Sequence, residues 1–500
     1  MREKTAGFLG FDLSTTALSC GVRSVEGQEG FVSIPMRGKT EWNGQPAHDL
    51  SFVPGMILKA LRELQKKGWK FNSQGSLSFS VRQHDMVLLD VDFCPLMPAL
   101  SWQCKVADVE ANTLNEIPSI VSVVGKVEPR FILPKLIWAM RNCPVIAEKV
   151  GTVVTTGDYI AGCLTDNYHL STSDGLSNGL LNQITKKLPL KALAAACKAF
   201  KGQAGDPGIF AGLFPGSVQS GTKSGIISPT YAWGKEWLKV ANILGGWQII
   251  SCLGDNHAGG VGCGLAYRNT IVISAGTSGT VIRRCKPQQP LVGKAACFEY
   301  YNDRLLLMML ADCAAWYDEF VKWYTGGESS DLAKMDLVAM STDPDSLEFW
   351  PEKERKKILK AEHTWNSTMI ANAQFSIALE LLARVRDMLA EVKGSSAKID
   401  RFVLTGGLSL SQFFQEVITA GVGLLVDDGK VFVSDRKGPF ASQAATTGAM
   451  INAMVGAGYY KNLASAISQM CPLRSVAKVD ALRIRQLCVA IKRNRHGFKL

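Results

Sequence analysis

The chain has 500 residues, 47% of them hydrophobic and 20% charged, a balance that supports sizeable cores and excludes a disordered chain. At this length two domains of about 250 residues are expected. The formal charge of +11 invites a nucleic-acid reading, but no nucleic-acid motif accompanies it, and no run reaches the roughly 18 apolar residues needed to span a bilayer.

The opening MREKTAGFLGF carries a short apolar patch that Asp12 interrupts before a secretory region can form, so a cytoplasmic location is expected. GFLGF, DLSTT and ALSCGVRSV then read as two strands joined by a hydroxyl-rich turn. MRGKTEW places Gly38, Lys39 and Thr40 together, but a P-loop needs a glycine five residues before Gly38, where Ser33 stands. Helical spacing follows in VPGMILKALRELQKKG and ILPKLIWAMRNCPVIAEKV, alternating with strands in SLSFSV and VLLDVD. Cysteine after Asp92 and Phe93 excludes the protein-kinase signature.

WQIISCLGDNHAGGVGCGLA predicts a strand ending near Leu253, with Asp255 at or just before the start of a glycine-rich helix. NTIVISAGTSGTVIRRC then repeats the opening scheme around a tight turn from Gly276 to Thr280. A long helix in MIANAQFSIALELLARVRDMLAEVKG, the strand RFVLTGG and a closing helix in ATTGAMINAMVGAG complete the pattern. One hairpin at the start of each half implies a duplicated α/β architecture. The division is expected between residues 253 and 270, giving domains 1–255 and 256–500, with Asp255 at the floor of an interdomain cleft.

In both hairpins small residues let backbone amides approach an anion, and Ser14, Thr15, Thr16, Thr277, Ser278 and Thr280 add hydroxyl donors. Asp12 is read either as a carboxylate that holds Mg²⁺ through water or as a turn initiator. At Gly406 and Gly407 a planar base could lie on bare backbone at the next helix start, or the glycines could only make the turn. Asp255 is an N-cap or a general base. Gly259, Gly260, Gly262 and Gly264 are read as positions where a side chain would collide with the neighbouring hairpin or a substrate.

His257 is read as a helix-face histidine satisfied by its neighbours. The thirteen cysteines form no CxxC pair and are expected to be reduced packing residues. Arg483, Arg485, Lys492, Arg493, Arg495 and Lys499 are expected on a solvated helix face and tail.

Taken in order, LGFDLSTTALSCGV, PKLIWAMRN, TTGDYIAGCLTDNYHLSTSDGLSNGLL, GDNHAGGVGCG, SAGTSGTV, TGGLSLSQFFQEVITAGVG and TTGAMINAMVGAG resemble the FGGY carbohydrate kinases over nearly the whole length. The resemblance implies two ribonuclease H-like domains of the actin, hexokinase and heat-shock ATPase superfamily. It also implies ATP and Mg²⁺ as cofactors and transfer of the γ-phosphate to a ketose, D-xylulose before others. The implied partners are that sugar and ATP, with no nucleic acid, no membrane and a homodimer left open.

Carried over by position, Asp255 corresponds to the catalytic base and, with Asp12, to the metal-associated carboxylates. Gln83, His84, Trp102 and Asn256 correspond to sugar contacts. Thr15 and Thr16 match the first phosphate hairpin; Gly276, Thr277 and Ser278 match the second; Gly406, Gly407 and Ser409 match the nucleoside site.

The departures concentrate at the sugar. Asp85 stands where the family commonly has glycine, and Arg82 and Val81 stand in the neighbourhood of a glycine and a glutamine that it commonly has two and three residues before the histidine. Gln103, Cys104, Lys105 and Val106 replace the polar residues after Trp102, removing a carboxylate and a guanidinium. Ribulose, sedoheptulose, a deoxy-ketose or a polyol is the alternative substrate, and a non-catalytic ATP- or sugar-binding regulator the alternative class.

Overall fold

The computed structural model describes residues 4–230, 232–325, 332–359, 367–394, 398–435, 437, 443–477 and 479–494. Contacts divide the chain into two compact units. The first comprises Met1–Gly262, Phe298–Arg304 and Gly438–Ala466; the second comprises Cys263–Cys297, Leu305–Lys437 and Ile467–Leu500.

The first unit is built on a mixed sheet. Strand Lys4–Leu13 pairs antiparallel with Ala17–Arg23, which pairs antiparallel with Glu29–Pro35. On its other side Lys4–Leu13 runs parallel to Trp69–Val81, and Gln248–Ile250 and Leu253–Gly254 run parallel to that strand in turn. Burial on both faces explains the near-continuous apolar runs. Helix Val53–Lys66 lays Met56, Ile57, Ala60, Leu61 and Leu64 on this core at three- and four-residue spacing.

A five-stranded sheet follows, ordered Lys39–Trp42, Gln45–His48, Ala99–Leu100, Met86–Leu89 and Thr152–Thr155. Residues 82–85 therefore link the central strand of one sheet to a strand of the other. The single helix expected from ILPKLIWAMRNCPVIAEKV is two, Ile132–Asn142 and Pro144–Lys149. The break at Cys143 has a local cause: proline disfavours the helical conformation in the residue before it and lacks the amide hydrogen.

The second unit repeats the scheme. Thr270–Ala275 pairs antiparallel with Gly279–Cys285 and runs parallel to Arg401–Thr405, which runs parallel to Lys430–Ser434. Strand Asp303–Leu310, which enters this unit at Leu305, continues the sheet beyond Gly279–Cys285. In both sheets a hairpin lies between a third strand on one side and two parallel strands on the other, so the duplication seen in the two hairpins extends to the strand order. Helix Thr368–Glu391 is buried along most of its length in the core of this unit.

Among the glycines after Asp255, Gly262 has a different cause from the one expected. Helix Asp255–Gly262 packs on helix Ala444–Gly456 of the same unit. A Cβ on Gly262 would lie 1.8 Å from the Ala444 carbonyl oxygen, and one on Gly448 1.8 Å from that of Ala258. The close neighbour of Gly262 is helix backbone and not the neighbouring hairpin, and at Gly259 an added Cβ meets no protein atom within 4 Å. Gly10 serves the same helix, since its Cβ would fall 2.3 Å from the Thr446 carbonyl oxygen.

The basic C-terminal helix Ala481–Arg493 is not a wholly solvated face. Arg483 pairs with Glu416 at 3.3 Å and donates to the Thr342 carbonyl, while Arg493 donates to the Leu347 carbonyl. Arg495 and Lys499 lie outside the described residues. Among the described residues no helix is long and apolar enough to cross a membrane. Most of the cysteines are buried, Cys20 and Cys252 among them in the apolar core, as a packing role requires.

Candidate active site

Asp12 is not a turn initiator. It lies within the first strand, opposite Ser19 on one side and Ser80 on the other, and accepts the Ser80 hydroxyl at 2.8 Å. Burial raises its carboxyl to about 6 against the opposing effects of Ser80 and the Arg82 charge. The turn itself is Ser14–Thr16. The Ser14 hydroxyl accepts from the Thr16 and Ala17 amides and donates to the Ala17 carbonyl, so one side chain closes the turn. Thr16 lies on the surface beside Ser14, and Thr15 makes no hydrogen bond among the described residues.

Register brings Asp255 to the same end of the sheet. Ser80 pairs with Leu253, so the chain leaves Leu253–Gly254 and enters helix Asp255–Gly262 beside the strand that carries Ser80. Asp255 is the first helical residue. Its carboxylate accepts from the Asn256 amide at 2.8 Å and from Asn256 Nδ2 at 3.3 Å. Burial, then the charge of Asp12, lift this carboxyl to about 7. Asn256 Nδ2 also donates to Gln83 Oε1 at 2.5 Å, and Gln83 Nε2 donates to Ser177 Oγ at 3.1 Å. Gln83 and Asn256 thus form one chain of bonds that orients Asp255.

His84 occupies the link between the two sheets, in the left-handed region at φ 71°, a strain that persists only where surrounding bonds impose it. They come from Lys135, a fully buried residue of helix Ile132–Asn142 whose ammonium donates to the carbonyls of His84, Leu100 and Ser101. Met86 pairs with Leu100 across the five-stranded sheet, which places the 82–85 link next to Ser101 and Trp102. Lys135 ties these two loops together. Burial lowers its own ammonium to about 8.

The sugar-side departures acquire a structural meaning here. Arg82 Nε and Asp85 Oδ2 form a buried pair at 2.7 Å. Asp85 Oδ1 accepts the Trp102 amide at 3.1 Å, and Arg82 Nη1 donates to the Ser14 carbonyl at 2.9 Å. A carboxylate and a guanidinium are missing after Trp102, yet one of each has entered the adjacent loop, where they bind each other and the backbone. Trp102 keeps an exposed side chain, at 38%, while Cys104 is buried.

His257 is only partly satisfied, against the expectation from the sequence: its Nδ1 is bonded, but its buried Nε2 has no hydrogen-bond partner among the described residues. Its Nδ1 lies 3.1 Å from Ser173 Oγ and 3.0 Å from Glu299, and Ser173 Oγ also accepts the Gly254 amide at 2.9 Å.

In the second unit Ala275 pairs with Gly279, so the turn is Gly276–Ser278, shorter than expected. The first amides of helix Ala314–Tyr324 hold it, Ala314 donating to the Gly276 carbonyl and Ala315 to that of Thr277. Gly406, at φ 91°, lies against this turn; its Cβ would fall 2.4 Å from the Ala275 carbonyl carbon and 2.6 Å from the Gly276 nitrogen. Gly276, Thr277, Ser278 and Gly406 are therefore brought together, with Gly407 opening the 3₁₀ turn Gly407–Leu410.

The next helix, Gln412–Leu425, does not offer its N-terminus to a ligand. Asp336 accepts from the Gln412 and Phe413 amides and from the Ser411 hydroxyl, and Ser411 caps Phe414. The Ser409 hydroxyl donates to the Gly406 carbonyl at 2.6 Å, which makes it a brace of the turn. Lys135 and Asn178 lie within two of the family-like stretches and Asp336 in none, but no role for any of the three is legible there; the charge of Lys135 inside an apolar helical stripe was the one signal available.

Residues 8–262 match the model of the FGGY family of carbohydrate kinases, N-terminal domain. The chain belongs to this family. It is 25% identical to the xylulose kinase of Staphylococcus epidermidis over 284 residues, 55% of this chain and 52% of the relative, and so spans about half the length of the curated relatives it matches. Its fold is similar to that of the ligand-bound xylulose kinase from Lactobacillus acidophilus, with a TM-score of 0.76 and 17% identity over 99% of this chain and 98% of the other. The glycerol kinase from Plasmodium falciparum with ADP gives 0.72 and 14%, covering all of both chains. These structures show the two-domain α/β fold.

Proposed function

We propose that the protein phosphorylates a ketose with ATP, D-xylulose being the first candidate, and that Asp255 is the general base. The observation that carries this is a carboxylate held at about 7, at a helix start beside a second carboxylate, where a base matched to neutral pH is most effective. The first unit holds the sugar, with His84 and Trp102 as its contacts and Gln83 and Asn256 arranged around the base. The Gly276–Ser278 and Gly406–Gly407 turns hold the nucleotide, and Thr15 and Thr16 supply donors to its phosphates. The sugar hydroxyl oxygen forms a bond to the γ-phosphorus, the β–γ bridging bond breaks to release ADP, and Asp255 accepts the hydroxyl proton.

Mg²⁺ fits the donor set. Asp12 and Asp255 are two half-buried hard carboxylates whose ionisation desolvation opposes, and no group of three potential ligands occurs among the described residues. Mg²⁺ is held by one or two carboxylates together with phosphates and water. When bound, it supplies charge neutralisation at the phosphates.

The altered residues 103–106 and the Arg82–Asp85 pair favour a second reading, in which the acceptor is ribulose, sedoheptulose, a deoxy-ketose or a polyol. A sugar panel with coupled detection of ADP decides. Turnover on D-xylulose supports the first reading, strong turnover elsewhere the second, and none on any sugar leaves a ligand-binding regulator.

A further inference from the structure

His84 makes one hydrogen bond through its ring, from Nδ1 to Asn178 Oδ1 at 3.0 Å. The orientation of the Asn178 amide is set by backbone groups with only one possible role each. The Ile132 amide can only donate, and it meets Oδ1 at 3.1 Å. The Asp174 carbonyl can only accept, and it meets Nδ2 at 2.8 Å. Oδ1 is therefore the oxygen, and the His84 nitrogen facing it must carry the proton.

We infer that Asn178 locks His84 as the Nδ1–H tautomer, so that Nε2 presents only a lone pair and the sugar group it meets must be a hydroxyl that donates. This rests on the sugar-kinase reading above.

The ring has no easy alternative. It stacks on Phe131 with centroids 4.9 Å apart and planes 16° from parallel, and a flip would set a carbon against the amide oxygen. Its backbone is held at the carbonyl by Lys135. Burial keeps the imidazole neutral, its basicity lowered to about 3. Nε2 makes no hydrogen bond within the described residues. The neighbouring Gln83 amide is engaged at both ends by Ser177 and Asn256, which leaves His84 to read hydroxyl polarity in this loop. Asn178 is thus a positioning residue that sets a specificity rule without touching the sugar.

The test uses the full chain with ¹⁵N-labelled histidine. Long-range proton–nitrogen correlation reads both ring nitrogens, and loss of one signal set in His84→Gln assigns it among the six histidines. The expected result is a protonated Nδ1 and a bare Nε2 between about pH 6 and 8, with the Nε2 signal shifting when a ketose binds.

In kinetics, replacing the contacted hydroxyl by fluorine, which accepts but does not donate, should cost as much as replacing it by hydrogen, ~100-fold or more in kcat/KM. Asn178→Asp keeps the acceptor and should keep the tautomer. Asn178→Leu should raise the ketose KM ~10-fold with the KM for ATP unchanged, and if that variant fails to fold the unmodified protein's spectrum still decides. An Nε2–H tautomer, or a fluoro analogue that retains its rate at every position, overturns the inference. A bare Nε2 that no ketose or polyol perturbs leaves the lock standing and overturns the sugar reading instead.

Discussion

Asp12 opposes the ionisation of Asp255. Burial comes first and this repulsion second in holding the Asp255 carboxyl at about 7, while Asp12 is itself held at about 6, both from an ordinary 3.8. The folded chain keeps protons here that the unfolded chain releases between about pH 4 and 7, so this contribution to stability is present on the acid side and is lost as pH rises through 6 and 7. Thermal melts should show a lower Tm at pH 8 than at pH 5 from these groups, with Mg²⁺ recovering part of the difference at pH 8. Asp12→Asn and Asp255→Asn should each flatten the profile and raise Tm at pH 8. A Tm that climbs with pH, unaltered by either substitution, contradicts the assignment.

Asp255→Asn also tests the chemistry. Loss of the general base should lower kcat by about 10²- to 10⁴-fold, while nucleotide affinity measured by calorimetry stays within a few-fold. Surviving turnover removes Asp255 from the reaction.

Lys135 acts at a distance. Lys135→Met removes the ammonium donor from the carbonyls of His84, Leu100 and Ser101; the Ser101 carbonyl keeps the Cys104 amide, and a buried carbonyl left unsatisfied costs about 1–3 kcal/mol. The substitution also releases the backbone of His84 from its left-handed conformation. The ketose KM should rise at least ~10-fold and Tm should fall, with the KM for ATP little altered. Equal effects on both Michaelis constants would show that the lysine does not serve the sugar loops in particular.

At the nucleotide turns two adjacent glycines separate the explanations. Gly406→Ala would drive a Cβ into the Ala275–Gly276 backbone from a positive φ, whereas Gly407→Ala meets nothing within 4 Å. Nucleotide binding should collapse in the first because the turn itself is deformed, with a fall in Tm, whereas in the second any loss should come without a fall in Tm, since only a bound base would meet that Cβ; sugar binding is kept in both. Full nucleotide affinity in Gly407→Ala would place the base elsewhere.

A similar pair divides the helix after Asp255. Gly259→Ala fills open space in a helix and should stabilise the protein by about 0.5–1 kcal/mol. Gly262→Ala collides with Ala444 and should destabilise it severely. Denaturant midpoints measure both.

The parts legible in the sequence were those encoded in one contiguous stretch each: the two hairpins, the strand ahead of Asp255, and the long helix Thr368–Glu391. What escaped depends on distant partners. The Gly262 contact lies with Ala444, the Asp336 cap serves a helix that begins at Gln412, and Lys135 reaches back to His84. No local spacing announces such pairings: from the sequence only the glycines after Asp255 suggest a neighbour, the hairpin or a substrate, and Lys135 and Asp336 suggest none. The Arg82–Asp85 pair was visible only as two departures; that they answer one another required the turn that brings them within 2.7 Å.

The embrace between Asp255–Gly262 and Ala444–Gly456 also sets an order of assembly. Because the first unit takes a packing helix from Ala444–Gly456, a nascent chain that has reached only Gly262 exposes the bare glycine faces of Gly10 and Gly262 that this helix covers. The first unit therefore waits, unfinished, until the chain from Cys263 through Gly456 has been made.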